Sequence, residues 1–293
     1  GIVAGVTHYK CDADIAVITT DGDADYIDVA RANVRLKAQP EIALAAQKLQ
    51  GVLDDQYVSD PKTPGKAKRM PDASQWVESM VKEIEGLKAK GTFKFMPAKE
   101  LPSGATPIPM SMKLKPKYHK DGTLDKRKSR LVSDGSQQKY GRDYEETFAP
   151  ASQLVSVRTI LTIAVNLGLI VYHADVVGAY LNAKLEEEVY VRFPESLPDQ
   201  VKSLLPSRTA RLVKSLYGLK QAGRDWNKCS DKVLMSVPGM KRSEVDPCWY
   251  YMMEKTLIVH ILVHVDDYLI ATNSKKWKDW FIHVHFAEHY EIN

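Results

Sequence analysis

Asp266 and Asp267 stand side by side in "LIVHILVHVDDYLIATN", between apolar runs that read as buried strands. A two-residue joint between strands is a tight hairpin, so both carboxylates would crowd one tip. Like charges that close repel, and one pKa rises unless a cation neutralises the pair. A hard divalent ion does this through carboxylate oxygens, and Mg²⁺ is typically held by one or two carboxylates together with substrate phosphates. A solvated Asp-Asp turn explains the pair equally well on its own. Asp175 adds a third carboxylate at the end of the apolar run "LIVYHAD", where packing calls for no charge. If the two strands are neighbours, Asp175 and Asp266 meet at one tip. Three acidic groups could then hold two ions about 4 Å apart, the arrangement used for in-line phosphoryl transfer. The plainer alternative makes Asp175 a strand-end residue capping the turn that follows.

Strands must carry these carboxylates, and the apolar pattern supplies them. "LIVYHADV", "EVYVRFP", "ARLVKSLYG", "CWYYMMEKTLIVHILVHV" and "YLIATN" read as strands, with "GAYLNAKL" as a short helix or turn. Upstream, "FKFMP" and "IPMSMKLKPKY" add strands, and "HKDGTLD" sets an Asp-Gly turn between two basic runs, a β-hairpin signature. Trp76, Met80, Ile84 and Leu87 recur at helical spacing, with Asp72 or Ser74 to cap the helix and Gly91 to stop it. "VSVRTILTIAVNLG" is an amphipathic helix ending at Gly168. A further helix carries Trp226, Val233 and Leu234 on a core face, and "KKWKDWFIHVHF" is the last. Strands and helices mixed through hairpins, rather than regular βαβ units, place the chain in the α+β class.

Composition narrows the function classes. At 293 residues, 44% hydrophobic and 27% charged, the chain is an ordinary globular sequence with material for one large or two smaller domains. No apolar run approaches the roughly 20 residues that cross a bilayer, so no membrane partner is expected. The N-terminus lacks the features of a signal peptide. Cys11, Cys229 and Cys248 form neither a CxxC pair nor a zinc spacing, which points to a reducing compartment without disulfides. Gly1 in place of Met and the uncapped ending "HFAEHYEIN" lead us to expect a fragment.

The net charge of +4 is small, but its distribution is not even. Between Met110 and Arg142 ten basic residues face three acidic ones. Alternation of Lys113, Lys115 and Lys117 sets three ammoniums on one face of a strand, suited to phosphates. Lysines also guard a solvated hairpin edge against aggregation, and the two uses are compatible. Residues 1–70 differ in character. Two β-leaning runs, the acidic cluster "DGDADYID" and a helical stretch broken by Pro40 lead into the linker-like "SDPKTPGKAKRM". Asp21, Asp23 and Asp25 alternate as in an EF-hand loop. Tyr26 and Ala32, however, stand where that loop requires Gly and Glu, so a solvated acidic loop is the better reading. We expect residues 1–70 to be a partly disordered connector.

Several long motifs then occur in order: "DVVGAYLNAKLEEEVYVRFPE", "LVKSLYGLKQAGRDW" and "HVDDYLIATN". They closely resemble the palm motifs of copia-type LTR-retrotransposon reverse transcriptases. "KRKSRLVSDGSQQKYGRDYEETFAPASQLVSVRTILTIA" resembles the fingers of that family, and "QWVESMVKEIEGLKAKGT" its opening helix. The resemblance covers about residues 70–293. It implies a right-hand polymerase, with fingers and opening helix over 71–160, an antiparallel palm sheet packed on helices over 161–293, and the thumb absent. The implied activity is RNA-directed DNA polymerisation, by two-metal nucleotidyl transfer from a dNTP to a primer 3′-hydroxyl. The implied cofactor is Mg²⁺, with Mn²⁺ as a substitute. Implied partners are a primed RNA or DNA template, dNTPs, and the remaining polyprotein domains (integrase, thumb and ribonuclease H). The implied location is the cytoplasm, in a virus-like particle, or the nucleus.

The resemblance also assigns roles. Asp175 and Asp266 match the family's metal-binding aspartates, with Asp267 the third of the catalytic set. Tyr180 matches the aromatic that in similar enzymes stacks under the sugar and blocks a ribose 2′-OH; a core tyrosine is the alternative. Backbone N–H groups of Gly178 and Ala179 would face the triphosphate, and Gln221 matches a glutamine that contacts the incoming nucleotide. Lys128 and Arg130 best match triphosphate-contacting positions, while Lys113, Lys115, Lys117 and His264 are expected on primer or template. Two departures stand out. His264 replaces the family's usual Tyr, and "RLVSDGSQQ" replaces the more usual "RLVAKGFSQ". They keep open a decayed copy that only binds nucleic acid. A metal-dependent nuclease is a third reading, disfavoured because hydrolysis needs neither Tyr180 nor the "YGLKQ" pocket.

Overall fold

The computed structural model describes residues 6–11, 14–19, 61–119 and 122–293. The chain divides into two units between Val58 and Ser59, a boundary inside the expected 1–70 connector. In the first unit the β-leaning runs pair as an antiparallel hairpin, β1 (Val6–Cys11) with β2 (Asp14–Thr19). The acidic cluster of Asp21, Asp23 and Asp25 and the stretch through Pro40 lie outside the described residues.

In the second unit, after the short helical turn Pro64–Ala67, α1 (Ala73–Ala89) buries Trp76, Met80, Ile84 and Leu87 along one stripe. Each such side chain contributes about 1.5–3 kcal/mol on leaving water. Asp72 occupies the N-cap position without making a cap bond; its carboxylate pairs instead with Arg127 Nε at 2.5 Å. Gly91, at φ 66°, ends the helix in the left-handed region.

In chain order there follow β3 (Phe93–Phe95), β4 (Ile108–Tyr118), β5 (Leu124–Ser133), α2 (Leu154–Leu167), β6 (Ile170–Asp175), β7 (Tyr190–Arg192), β8 (Thr209–Leu212) and α3 (Ala222–Met235). The chain continues through β9 (Lys241–Arg242), β10 (Trp249–Glu254), β11 (Leu257–His264), β12 (Asp267–Thr272) and α4 (Lys275–Trp280), which runs on as a π-helical turn, Phe281–Phe286. The run "CWYYMMEKTLIVHILVHV", expected as one strand, is β10 and β11 folded back at Lys255, whose φ is 53°. No Gly or Asn marks that turn, so its local signal is weak.

The described strands of this second unit form two five-stranded sheets. One has the order β3-β8-β7-β4-β5 and is antiparallel except where β4 runs parallel to β7. The other, β6-β12-β11-β10-β9, is antiparallel throughout. This is the mixed α+β architecture expected. The sheets cut across the expected division at 160/161, because β7 and β8 complete the sheet of β3, β4 and β5. Along β11, Val259, Ile261 and Val263 face a core shared with Trp226 and Leu234 of α3 and with Phe281 and Phe286. Leu262 and Ala271 face the other way, onto Ile160 and Ala164 of α2. Helices therefore cover both faces, which explains why β11 reads as a nearly continuous apolar run. α2 has no side-chain cap of its own; the buried Asp246 accepts from Gln153 N and Ser156 Oγ in its place. No helix among the described residues is long and apolar enough to cross a membrane.

Candidate active site

The hairpin between β11 and β12 closes on the pair His264–Asp267, so its two loop residues are Val265 and Asp266. The expected Asp266–Asp267 joint is thus displaced by one residue, with Asp267 already in β12. Register explains the slip. Tyr268 and Ile270 must reach the core, and Asp267 must stand opposite Asp175 on β6. Val265 is forced to φ 57°, a conformation costly for a β-branched residue, by about 1–3 kcal/mol. Trp226 Nε1 donates to its carbonyl at 2.6 Å and holds the turn. Val176 N donates to Asp266 O at 2.9 Å, fastening the tip to the end of β6.

β6 and β12 are neighbours, and Asp175 and Asp266 line one cavity of about 310 Å³ together with Lys128, Arg130, Lys90 and Gly178. Asp267 is not on that cavity. Its carboxylate pairs with His173 Nε2 at 2.8 Å, and both side chains are exposed. Among the described residues no group of three His, Cys, Asp or Glu is gathered to hold a metal ion. Three converging carboxylates were expected; two share the cavity. Asp175 also accepts from Asn293 Nδ2 at 3.3 Å. Two carboxylates on a phosphate-sized space still match the hard-oxygen donor set that Mg²⁺ completes with substrate phosphates.

Cations face these carboxylates across the cavity. On the hairpin, exposed Lys113, Lys115 and Lys117 of β4 stand opposite Arg130, Lys128 and Lys126 of β5. Like charges directly opposite destabilise a sheet, and an anion against this ladder would relieve the repulsion. Burial pushes the Lys128 ammonium below the usual lysine range, and neighbouring Arg130, Lys117 and Lys126 push it further. The Arg130 guanidinium lies over the Tyr217 ring at 4.8 Å. Glu83 of α1 accepts from Leu131 N at 2.9 Å, which fixes β5 against the helix. Burial raises the Glu83 pKa despite that bond and the nearby Arg130 and Lys128.

The loop after Asp175 turns at Gly178, φ 64° and ψ 50°, into the 3₁₀ turn Ala179–Asn182. Among the described residues the N–H groups of Gly178, Ala179 and Tyr180 have no hydrogen-bond partner. Successive free N–H groups at such a left-to-right-handed junction form a concavity for anions. The Ala179 side chain is buried in the core.

Three expected contact residues stand elsewhere. Gln221 is fully buried: its Oε1 accepts from Gln138 Nε2 at 2.9 Å, and its Nε2 donates to Asp143 O at 2.9 Å. Expected on the nucleotide, it joins α3 to the loop after β5, with both ends of its amide occupied. Tyr180 is half-buried and meets Tyr217 edge-on, ring centroids 4.9 Å apart; Tyr217 is the tyrosine on the cavity wall. Burial and the Asp266 charge both raise the Tyr180 pKa. His264 is exposed beside Ser152 Oγ, 2.9 Å from its Nδ1, and does not line the cavity. Tyr217 and Lys90 escaped notice in the sequence. The first sits in the motif "LYGLKQ", a usable signal; the second offers none.

Residues 93–293 match the family model described as reverse transcriptase (RNA-dependent DNA polymerase). The chain is 37% identical over 223 residues to a retrovirus-related Pol polyprotein from transposon TNT 1-94 of Nicotiana tabacum, covering 74% of this chain and 16% of that protein. Against the Pol polyprotein from transposon RE1 of Arabidopsis thaliana it is 33% identical, covering 74% of this chain and 14% of the relative. Similarity extends to the transposon Ty1-ER2 Gag-Pol polyprotein of Saccharomyces cerevisiae, 30% identical over 53% of this chain and 8% of that protein. This chain therefore spans only a small part of the polyproteins it matches. With the family model over more than half its length, the chain belongs to the copia-type reverse transcriptase (RNA-dependent DNA polymerase) family.

Proposed function

We propose that this chain forms the fingers and palm of a right-hand RNA-directed DNA polymerase. It would extend a primer on an RNA or DNA template within a larger Pol polyprotein. The observation that carries the reading is the cavity on which Asp175 and Asp266 face Lys128 and Arg130. Asp175 and Asp266 would hold Mg²⁺, or Mn²⁺ in its place, with Asp267 joining them once freed from His173. The bound ion supplies Lewis-acid stabilisation of phosphoryl oxygens and a more acidic primer hydroxyl. The protein does the positioning. Lys128 and Arg130 neutralise the triphosphate, the Gly178–Tyr180 N–H groups cradle it, and the strained Val265 turn holds Asp266 toward it. Tyr217 on the cavity wall, with Tyr180 packed edge-on against it, would flank the sugar.

Asp266→Asn is expected to lower Mg²⁺-dependent primer extension at least about 100-fold while the affinity for primed template stays close to wild type. Extension at the wild-type rate by that variant would remove Asp266 from the site. A second reading, a relic that binds nucleic acid without extending it, is favoured by the Asp267–His173 pair and by His264. It predicts salt-sensitive template binding and no extension by wild-type protein.

A further inference from the structure

Two cations on the cavity come from α1 rather than from the basic hairpin: Lys82 and Lys90. Lys82 is exposed and already paired with Glu78 at 2.7 Å. Lys90 is placed differently. It closes the C-terminal end of α1, its side chain is 26% exposed, and its Nζ donates to Val177 O at 3.1 Å. An ammonium carries three donors. The other partner of Lys90 among the described residues is the exposed Glu291 carboxylate, at 3.9 Å too far for a hydrogen bond. Two donors therefore remain open. They lie against the bend at Gly178, since Nζ is 3.5 Å from where a Cβ on that glycine would stand.

We propose that Lys90 is a ligand of the terminal phosphates of the incoming nucleotide, an inference that rests on the polymerase reading. The ammonium faces the same bend as the unpartnered N–H groups of Gly178, Ala179 and Tyr180. It offsets the repulsion that Asp175 and Asp266 exert on a polyphosphate entering their cavity. Lys128 and Arg130 approach from β5, so the phosphates are held from two elements at once. Gly178 keeps the approach open, because a side chain there would meet Leu181 and the Lys90 ammonium. Lys90 is thus a binding residue for the substrate and, equally, for the pyrophosphate that leaves.

The test compares wild type with Lys90→Met, which keeps the stem and removes the charge, and with Lys90→Arg. Lys90→Met is expected to raise KM for dNTP about tenfold or more, with a parallel rise in the inhibition constant of inorganic pyrophosphate. Binding of primed template and the thermal midpoint should change little, and Lys90→Arg should recover most of the loss. Direct binding of inorganic tripolyphosphate, followed by calorimetry, should weaken in the same order. Unchanged KM and tripolyphosphate affinity in a Lys90→Met protein of wild-type stability would overturn the inference. So would equal losses in template binding and stability, the mark of a merely structural tie to Val177. Wild type that binds tripolyphosphate through Lys90 yet never extends a primer would uphold the anion site and sink the polymerase reading. Wild type that neither binds nor extends overturns both.

Discussion

At the scale of single residues, the site couples charge to constraint. Asp266 sits in a turn whose neighbour Val265 is held at positive φ, so the carboxylate is presented by backbone that has little freedom to yield. Tyr180 and Tyr217 share one edge-to-face contact, and only Tyr217 reaches the cavity wall. If Tyr180 is the sugar gate, Tyr180→Val should raise incorporation of ribonucleotides relative to deoxynucleotides about tenfold or more, read by extension with ATP against dATP. An unchanged ratio, with lowered stability, would mark it as a core tyrosine. Asp175, Asp266, Lys128 and Arg130, which line the cavity, were legible in the sequence because their types break an apolar pattern or recur in motifs. Lys90 was not, since one lysine near a helix end is indistinguishable from a solvated one until the Gly178 bend is folded against it. Gln221 was legible as a position, but its buried hydrogen bonds were not. Its partners Gln138 and Asp143 are far away in sequence, and burial of an amide with both ends satisfied has no local signature.

At the scale of elements, helical spacing announced α1 correctly, because four large apolar residues on one stripe admit little else. The tight turns at Lys255 and Val265 were harder, since non-glycine residues occupy left-handed positions there and sheet register overrides local preference. The join between β5 and the motif "YGLKQ" is the most exacting. Ser133 N donates to Tyr217 O at 2.8 Å, and Gly218, at φ 91°, lies so close that a Cβ would overlap Ser133 O. Gly218→Ala should therefore cost about 3 kcal/mol, from left-handed strain and overpacking together. Gly122→Ala, at φ 85° with open space around it, should cost only about 1 kcal/mol. Urea unfolding of the two variants checks the contrast, and equal losses would show that the close approach at Gly218 relaxes cheaply.

At the scale of the whole molecule, a chain of net charge +4 concentrates its cations on the β4–β5 hairpin, where lysines face lysines across the strands. Replacing Lys113, Lys115 and Lys117 together by Gln should reduce the slope of log affinity for primed template against log salt by about 2–3. Fluorescence anisotropy across a salt series measures it, and an unaltered slope would leave these lysines as guards of the edge alone. The weave of the two sheets has another effect, on the order in which the protein can assemble. β3, β4 and β5 leave the ribosome before β6, yet their sheet partners β7 and β8 are made after it. The sheet of β3, β4 and β5 must stay incomplete while the strand carrying Asp175 is synthesised. Such long-range closure slows folding and exposes apolar surface on the way. A nascent chain stalled between β6 and β7 would thus hold β4 without its partner β7, a strand edge open to self-association.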